Sequence, residues 1–252
     1  MSDKLDTGKQ FVAGTGGVEP TSLSMSELTE SELHEAIHQI PIESDSEQMP
    51  QVQISGANGQ ANAMMRLNHP VRIHVDGPLG DYAFAHCAQS DIRLTGSAGH
   101  GVAEGMISGT IRIRGNVGVG AGASMRGGTL AVYGSAGDRF GAAMRGGGSF
   151  VRGNAGNDTG IGALRGTIVI GGDAGERLGD PSNSVTIFIR GKAKSLAAGV
   201  TEAPLRKPEQ LKLGLLLINA SIRGEPTDFR RIVPETVLRA EESQRGEINP
   251  NW

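Results

Sequence analysis

One glycine returns every 19 residues through the middle of this chain, and this spacing constrains the fold more than any other feature. We call these residues the marker glycines: Gly77, Gly96, Gly115, Gly134, Gly153, Gly172 and Gly191. A second glycine column follows three residues later: Gly80, Gly99, Gly118, Gly137, Gly156 and Gly175. A fixed period over so many units predicts a repeat architecture in which each unit packs on its neighbours.

The residues before each marker glycine alternate in character. Two residues before it stand aliphatic side chains: Val75, Leu94, Ile113, Val132, Val151, Ile170 and Ile189. Four residues before it stand Ile73, Ile92, Ile111, Leu130, Ser149, Ile168 and Ile187, of which only the serine is polar. The intervening column is polar or variable: His74, Arg93, Arg112, Ala131, Phe150, Val169 and Phe188. This alternation predicts one strand in each unit, with one face buried.

A unit of 19 residues is too short for a pair of helices, and it lacks the leucine and asparagine pattern of leucine-rich repeats. We therefore predict an all-β fold, a single-stranded parallel β-helix of seven to eight coils. Hexapeptide repeats, which build left-handed β-helices, favour multiples of six, so we expect the right-handed form. The stretch VQISGANG, with Gly56 and Gly59, predicts the looser eighth coil. Eight coils would stack to about 38 Å.

Helical caps are expected at both termini, because the end coils would otherwise leave strand edges unpaired. Residues 1–50 form an N-terminal extension in which SMSELTESELHEAIHQI predicts an amphipathic helix with an apolar stripe at Leu33, Ala36, Ile37 and Ile40. Residues 51–200 form the β-helix. Residues 201–252 contain a second, apolar helix from Pro208, followed by an irregular tail.

Composition narrows the classes of function. The net charge of -3 and the pI near 6.1 give no reason to expect nucleic-acid binding. Cys87 is the only cysteine, so an intrachain disulfide and a cysteine-based zinc or iron–sulfur site are excluded. The sequence contains no run of about 18 apolar residues and no apolar leader. We expect a cytoplasmic protein without a membrane span.

Two short motifs imitate known sites. Gly118–Gly122 reads GVGAG, which resembles a nucleotide-binding loop, but a turn and a strand follow it instead of the required helix. These glycines are better interpreted as corners of the repeat. His34 and His38 match the HExxH pattern of zinc proteases on a predicted helix, but no third ligand is evident. We expect them to be surface histidines.

Charged columns offer two further interpretations. Asp138 and Glu176 lie in one column, two coils and about 10 Å apart, slightly beyond the spacing of an inverting glycosidase pair. A carbohydrate-active β-helix enzyme therefore stays open, although Arg139 and Arg177 favour a solvated charge ladder. Two arginine rows could hold an acidic partner: Arg126, Arg145 and Arg165, and Arg114, Arg152 and Arg190.

The segment GNVGVGAGASMRGGTLAVYGSAGDRFGAAMRGGGSFVRGNAG resembles the GXGXG repeat domain that ends the large subunit of glutamate synthase. The same domain occurs in one of the subunits of formylmethanofuran dehydrogenase. The resemblance covers about residues 50–195, and FRRIVP is similar to the tail that follows the domain in glutamate synthase. A chain of this length with its own N-terminal helix is most similar to the separate GXGXG subunit of N-methylglutamate synthase-type complexes.

That resemblance implies a non-catalytic scaffold without catalytic, cofactor-binding or metal-binding residues. Its implied partners are a class II glutamine-amidotransferase-like subunit and a synthase subunit that carries FMN and iron–sulfur clusters. Such a hetero-oligomer would convert glutamate and methylamine to N-methylglutamate and ammonia. The formylmethanofuran dehydrogenase-like role stays open. Three departures from the family pattern are Ser149, Lys194 and the loss of the methionine column after Met144.

Overall fold

The chain is a parallel β-solenoid with a period of 19 residues, as the marker glycines predict. A computed structural model describes residues 20–42, 49–182, 185–220 and 224–245. Within these ranges, eleven strands form one sheet in the order β1 to β9, then β11 and β10. The strands are β1 Thr21–Ser24, β2 Gln51–Ser55, β3 Arg72–Val75, β4 Asp91–Leu94, β5 Thr110–Ile113, β6 Thr129–Val132, β7 Arg145–Val151, β8 Arg165–Ile170, β9 Thr186–Ile189, β10 Val200–Ala203 and β11 Arg230–Pro234.

Strands β2 to β9 pair in parallel, and their register keeps equivalent residues of successive coils opposite each other. Ile73 lies opposite Ile92, which lies opposite Ile111. Both predicted inward columns are buried along their whole length, so the alternation identified the buried face correctly. The core also contains Cys87, Met106, Met125 and Met144. Ser149 is fully buried among them, and its hydroxyl contacts the Met125 sulfur at 3.3 Å.

The looser eighth coil is present. Strand β2 pairs with β3, and Val52 lies opposite Ile73. Strand β1 then extends the sheet by one more parallel partner, in which Leu23 lies opposite Ile54. The sequence pattern did not indicate β1, because this strand has only four residues and three of them are polar.

Helix α1, Glu30–His38, covers the N-terminal end of the core as expected. The Thr29 side chain accepts a hydrogen bond from the Glu32 backbone N–H, and the Glu32 carboxylate accepts one from the Thr29 N–H, which completes a capping box. Leu33 and Ile37 are buried in the end of the core. Glu30 fixes the helix to the first coil because its carboxylate accepts a hydrogen bond from the Met64 N–H.

The C-terminal end does not form the irregular tail that the sequence led us to expect. That expectation is wrong for residues 230–245, which form β11 and helix α3, Glu235–Arg245; residues 246–252 lie outside the described residues. Strand β11 inserts between β9 and β10 and pairs antiparallel with both. The last coil therefore pairs with a strand that lies about 40 positions further along the chain.

Helix α2, Lys207–Asn219, lies against the outer face of the sheet. Its Leu213 and Leu217 are buried there with Phe150 and Phe188. A buried ion-pair network fixes the C-terminal elements to one another. The Arg231 guanidinium on β11 is 1% exposed and contacts Glu209 on α2 and Glu241 on α3. This network couples the last strand to both C-terminal helices.

Candidate interaction surfaces

The residues that follow five of the marker glycines form a polar ladder along the solenoid. The side-chain oxygens of this column accept hydrogen bonds from the backbone N–H of the equivalent residue one coil later, at 2.7–3.1 Å. The accepting residues are Ser97, Asn116, Ser135, Asn154 and Asp173. Because these oxygens satisfy backbone donors at a corner, their role is to hold successive coils together.

The column with the two candidate carboxylates forms part of a second ladder. Asp138 Oδ1 accepts a hydrogen bond from the Asn157 N–H at 2.7 Å, and Asn157 Oδ1 accepts one from the Glu176 N–H at 2.8 Å. The Glu176 carboxylate is more than half exposed and lies 3.4 Å from the Arg177 guanidinium. Asp138 is therefore engaged in a hydrogen bond between successive coils.

Arg177 contacts a further carboxylate one coil earlier. It donates hydrogen bonds to both oxygens of Asp158, at 2.7 and 2.8 Å. These bonds, together with the charge of Arg177, lower the pKa of the Asp158 carboxyl. The contact with Arg177 therefore favours the ionised form of Asp158.

The two glycine columns are places where successive coils approach closely. A Cβ at Gly96 would lie 2.3 Å from the Gly77 carbonyl oxygen, and one at Gly118 would lie 2.8 Å from the Gly99 carbonyl carbon. No side chain fits at either distance, so the backbone itself occupies the space.

Gly120 and Gly122 differ from Gly118, because they have φ angles of 73° and 67° in a stretch that alternates into the left-handed region. The same two coil positions adopt positive φ in other coils, where non-glycine residues such as Ala103 and Arg139 occupy some of them. After this stretch the chain turns into β6 without forming a helix. The geometry is that of a repeated corner, and a phosphate would find no helix N-terminus there.

The HExxH histidines lie on α1 at the N-terminal cover. The His34 and His38 rings stack with centroids 4.5 Å apart, and the His69 ring lies 5.4 Å from that of His38. Among the described residues, His34 Nε2 is buried and has no hydrogen-bond partner. Burial lowers the His34 pKa, and the nearby His38 lowers it further. Within the described ranges no group of three or more metal-ligating side chains is placed to hold an ion.

Cys87 is buried in the core column. Its Sγ lies 3.1 Å from the Met64 carbonyl oxygen, to which the thiol donates. Burial raises the pKa of the thiol to about 12, so it stays protonated and is a poor nucleophile.

The outer face of the sheet has two halves, one mostly basic and the other apolar. In the outward column the first half carries His74, Arg93 and Arg112, and the second half is apolar: Ala131, Phe150, Val169 and Phe188. Helix α2 covers the apolar half and buries all four of its residues. The sequence showed this change along the column, but only the position of α2 explains it.

The other half lines an open groove with a volume of about 900 Å³, which runs from Pro20 to Tyr133. We call its four arginines the arginine face: Arg72, Arg93, Arg112 and Arg114. The Asp91 carboxylate contacts Arg72 at 3.4 Å and Arg112 at 2.7 Å. Within the described part of the chain, Arg93 and Arg114 form no ion pair.

The predicted arginine rows are divided between different surroundings. Arg126, Arg145 and Arg165 are exposed and lie outside the groove. Of the second row, only Arg114 lines the groove. Arg152 lies over the Tyr133 ring at 5.8 Å, and Arg190 lies over the Phe229 ring at 5.9 Å. The structure therefore brings together a set of arginines that the sequence rows did not identify.

The side of α2 that faces away from the sheet is apolar. Leu211, Leu215 and Ile218 are 71%, 59% and 75% exposed. Their spacing places them on one side of the helix, opposite the buried Leu213 and Leu217. We call them the α2 stripe. Clustered large aliphatic side chains at this exposure are typical of interaction sites.

These observations define the class of protein as a parallel β-solenoid whose distinctive surfaces are the arginine face and the α2 stripe. No protein-family model matches the chain, and no curated protein matches it. None of the helices in the described ranges is both long enough and apolar enough to cross a membrane.

Proposed function

We propose that this chain is a non-catalytic structural subunit of a glutamate-synthase-like complex of the N-methylglutamate synthase type. It would hold a class II amidotransferase-like subunit against a synthase subunit that carries FMN and iron–sulfur clusters. The observation that carries this proposal is the α2 stripe. A helix with one apolar side on the sheet and another in solvent is suited to lie between this chain and a partner.

The chemistry of the repeat supports a scaffold role. Its polar columns are engaged in hydrogen bonds between coils, including the Asp138 carboxylate. Its one cysteine is buried and protonated, so it offers no thiolate for an iron–sulfur cluster. The redox cofactors of the proposed complex would accordingly belong to the synthase subunit.

The resemblance to the GXGXG domain supplies the identity of the partners. It rests on the phrase that recurs in register across residues 115–156, and the solenoid places that phrase at the corners and core positions of successive coils. The proposed complex would combine glutamate and methylamine to give N-methylglutamate and release ammonia. This chain would contribute rigidity and position, and the chemical steps would occur on its partners.

Native purification of the tagged chain from its source cells tests this proposal. We expect an amidotransferase-like chain and a flavoprotein to co-purify, identified by mass spectrometry and by the flavin absorbance spectrum. The purified assembly should form N-methylglutamate, and the isolated chain should not. Recovery of this chain without a flavoprotein would contradict the proposal, and so would a different activity in the assembly.

A further inference from the structure

The arginine face and the apolar surface beneath α2 are two halves of the same outer face of the sheet. Strands β6 to β9 already receive a segment of the chain on their outer face, namely helix α2. The neighbouring strands β2 to β5 present the same face without a cover among the described residues. Their groove is open, and most of the residues that line it have polar side chains.

The positive charges of the arginines on this half repel one another when no ligand is bound. Arg93 and Arg112 are paired positions on adjacent parallel strands, about 4.8 Å apart. Like charges directly opposite each other in a sheet are destabilising. His74 lies opposite Arg93 on the other side and supplies no negative charge.

The nearby carboxylates neutralise only part of this positive charge. Asp91 is shared between Arg72 and Arg112. Asp76 accepts a hydrogen bond from the Thr95 hydroxyl at 2.8 Å. Within the described residues, Arg93 and Arg114 therefore present guanidinium groups whose bidentate donors have no carboxylate partner.

The dimensions of the groove match an extended peptide. Apart from Pro20, its lining extends from β2 to Tyr133, which directly follows β6. Five strands span about 19 Å across the sheet, a length that about six extended residues would cover. Carboxylates along such a segment would face guanidinium groups on three neighbouring strands.

We propose that the arginine face binds an extended acidic segment of a partner protein, about six residues long. The inference deepens the proposed function and rests on it in one respect, since the segment would belong to a partner subunit. Charge complementarity identifies the occupant. A nucleic acid is disfavoured, because the described lining offers no Phe or Trp ring for stacking, Tyr133 already lies against Arg152, and the whole chain is acidic.

Fluorescence anisotropy with the purified full chain tests this inference. The probe is a fluorescein-labelled hexaglutamate peptide at low salt, compared with hexaglutamine and with a single-stranded hexanucleotide. We expect the hexaglutamate to bind and the hexaglutamine not to bind. Changing Arg93→Gln and Arg112→Gln together should weaken hexaglutamate binding at least about tenfold.

The matched control is Arg126→Gln with Arg145→Gln, which removes the same charge from arginines outside the groove. This control should change binding less than about twofold. Equal losses in the two double variants would overturn the inference, because binding would then report net charge alone. Tighter binding of the hexanucleotide, lost with Arg93 and Arg112, would also overturn it in favour of a nucleic acid.

The two proposals fail in distinguishable ways. If hexaglutamate binding does not depend on the groove while the tagged chain still recovers its flavoprotein, the inference fails and the proposed function stands. If groove-dependent binding is found and no flavoprotein is recovered, the arginine face stands as an acidic-peptide site and the proposed complex does not.

Discussion

Arg93 on β4 lies directly opposite Arg112 on β5, and only Arg112 has a described carboxylate partner, Asp91 at 2.7 Å. Arg93→Gln should therefore raise the free energy of unfolding by about 0.5 kcal/mol at low salt, because it removes a like-charge pair. Arg112→Gln should give no such gain, since it also breaks the contact with Asp91. Urea unfolding of both variants measures the difference. A gain for Arg93→Gln that persists in 1 M salt would show that repulsion is not its cause.

The two kinds of glycine in the GVGAG stretch should respond differently to the same substitution. Gly118→Ala places a Cβ 2.8 Å from the Gly99 carbonyl carbon of the preceding coil and should cost about 3 kcal/mol of unfolding free energy. In Gly120→Ala the new Cβ meets no atom within 4 Å, but the alanine has to adopt a φ of 73°. This change should therefore cost only about 1 kcal/mol of unfolding free energy. Thermal and denaturant unfolding measure both. Equal costs would contradict the assignment of Gly118 to a close backbone contact.

The Asp138 carboxylate should be replaceable by any side chain that keeps its accepting oxygen. Asp138→Asn should change the free energy of unfolding little, because Asn157 already fills the same position in the next coil. Asp138→Ala leaves the Asn157 N–H without its acceptor and should cost about 1 kcal/mol. If the amide and alanine variants are equally destabilised, the ladder does not explain this residue.

The N-terminal cover should weaken in mildly acidic solution. Because burial holds the His34 pKa below its ordinary value of 6.5, the unfolded chain binds more protons than the folded chain as the pH falls through 6.5. The free energy of unfolding should therefore decrease as the pH falls from 7.5 to 5.5. The His34 ring stacks on His38, which in turn lies beside His69, and Glu30 and Glu35 of the same helix line the same cavity.

Glu30 acts in the opposite direction, since burial raises its pKa above 4.5 and its contribution to stability is lost as the pH rises. Measurements above pH 5.5 reduce the contribution of Glu30 and stay close to the pH range in which His34 of the unfolded chain titrates. Urea unfolding at each pH should show a smaller decrease for His34→Gln than for the unchanged chain. Identical decreases would assign the pH dependence to other groups.

The sequence predicted those parts of the fold that depend on local pattern. The aliphatic columns, such as Ile73 with Ile92, repeat in every coil, so the strands, their register and the core follow from one period. Strand β11 was missed because its partners, β9 and β10, are adjacent to it only after the chain returns antiparallel. No local pattern in FRRIVP indicates that pairing.

The candidate surfaces were only partly predictable for the same reason. The apolar character of the second helix was evident, but the division of its residues into a buried side with Leu213 and an exposed side with Leu215 depends on where the helix lies. Likewise, Arg72 and Arg93 occupy different columns of the repeat, and the groove brings them together across neighbouring strands.

The most direct test of the scaffold claim is the ratio of flavin to tagged chain after native purification of an α2 stripe variant. Leu211→Ser with Leu215→Ser replaces two exposed side chains, so it should leave the unfolding transition nearly unchanged. The matched control is Ile107→Ser with Ile161→Ser, which are 49% and 44% exposed outside α2. We predict near-stoichiometric flavin with the unchanged chain and the control, and loss of flavin with the stripe variant. Retention of flavin by a folded stripe variant would contradict the claim.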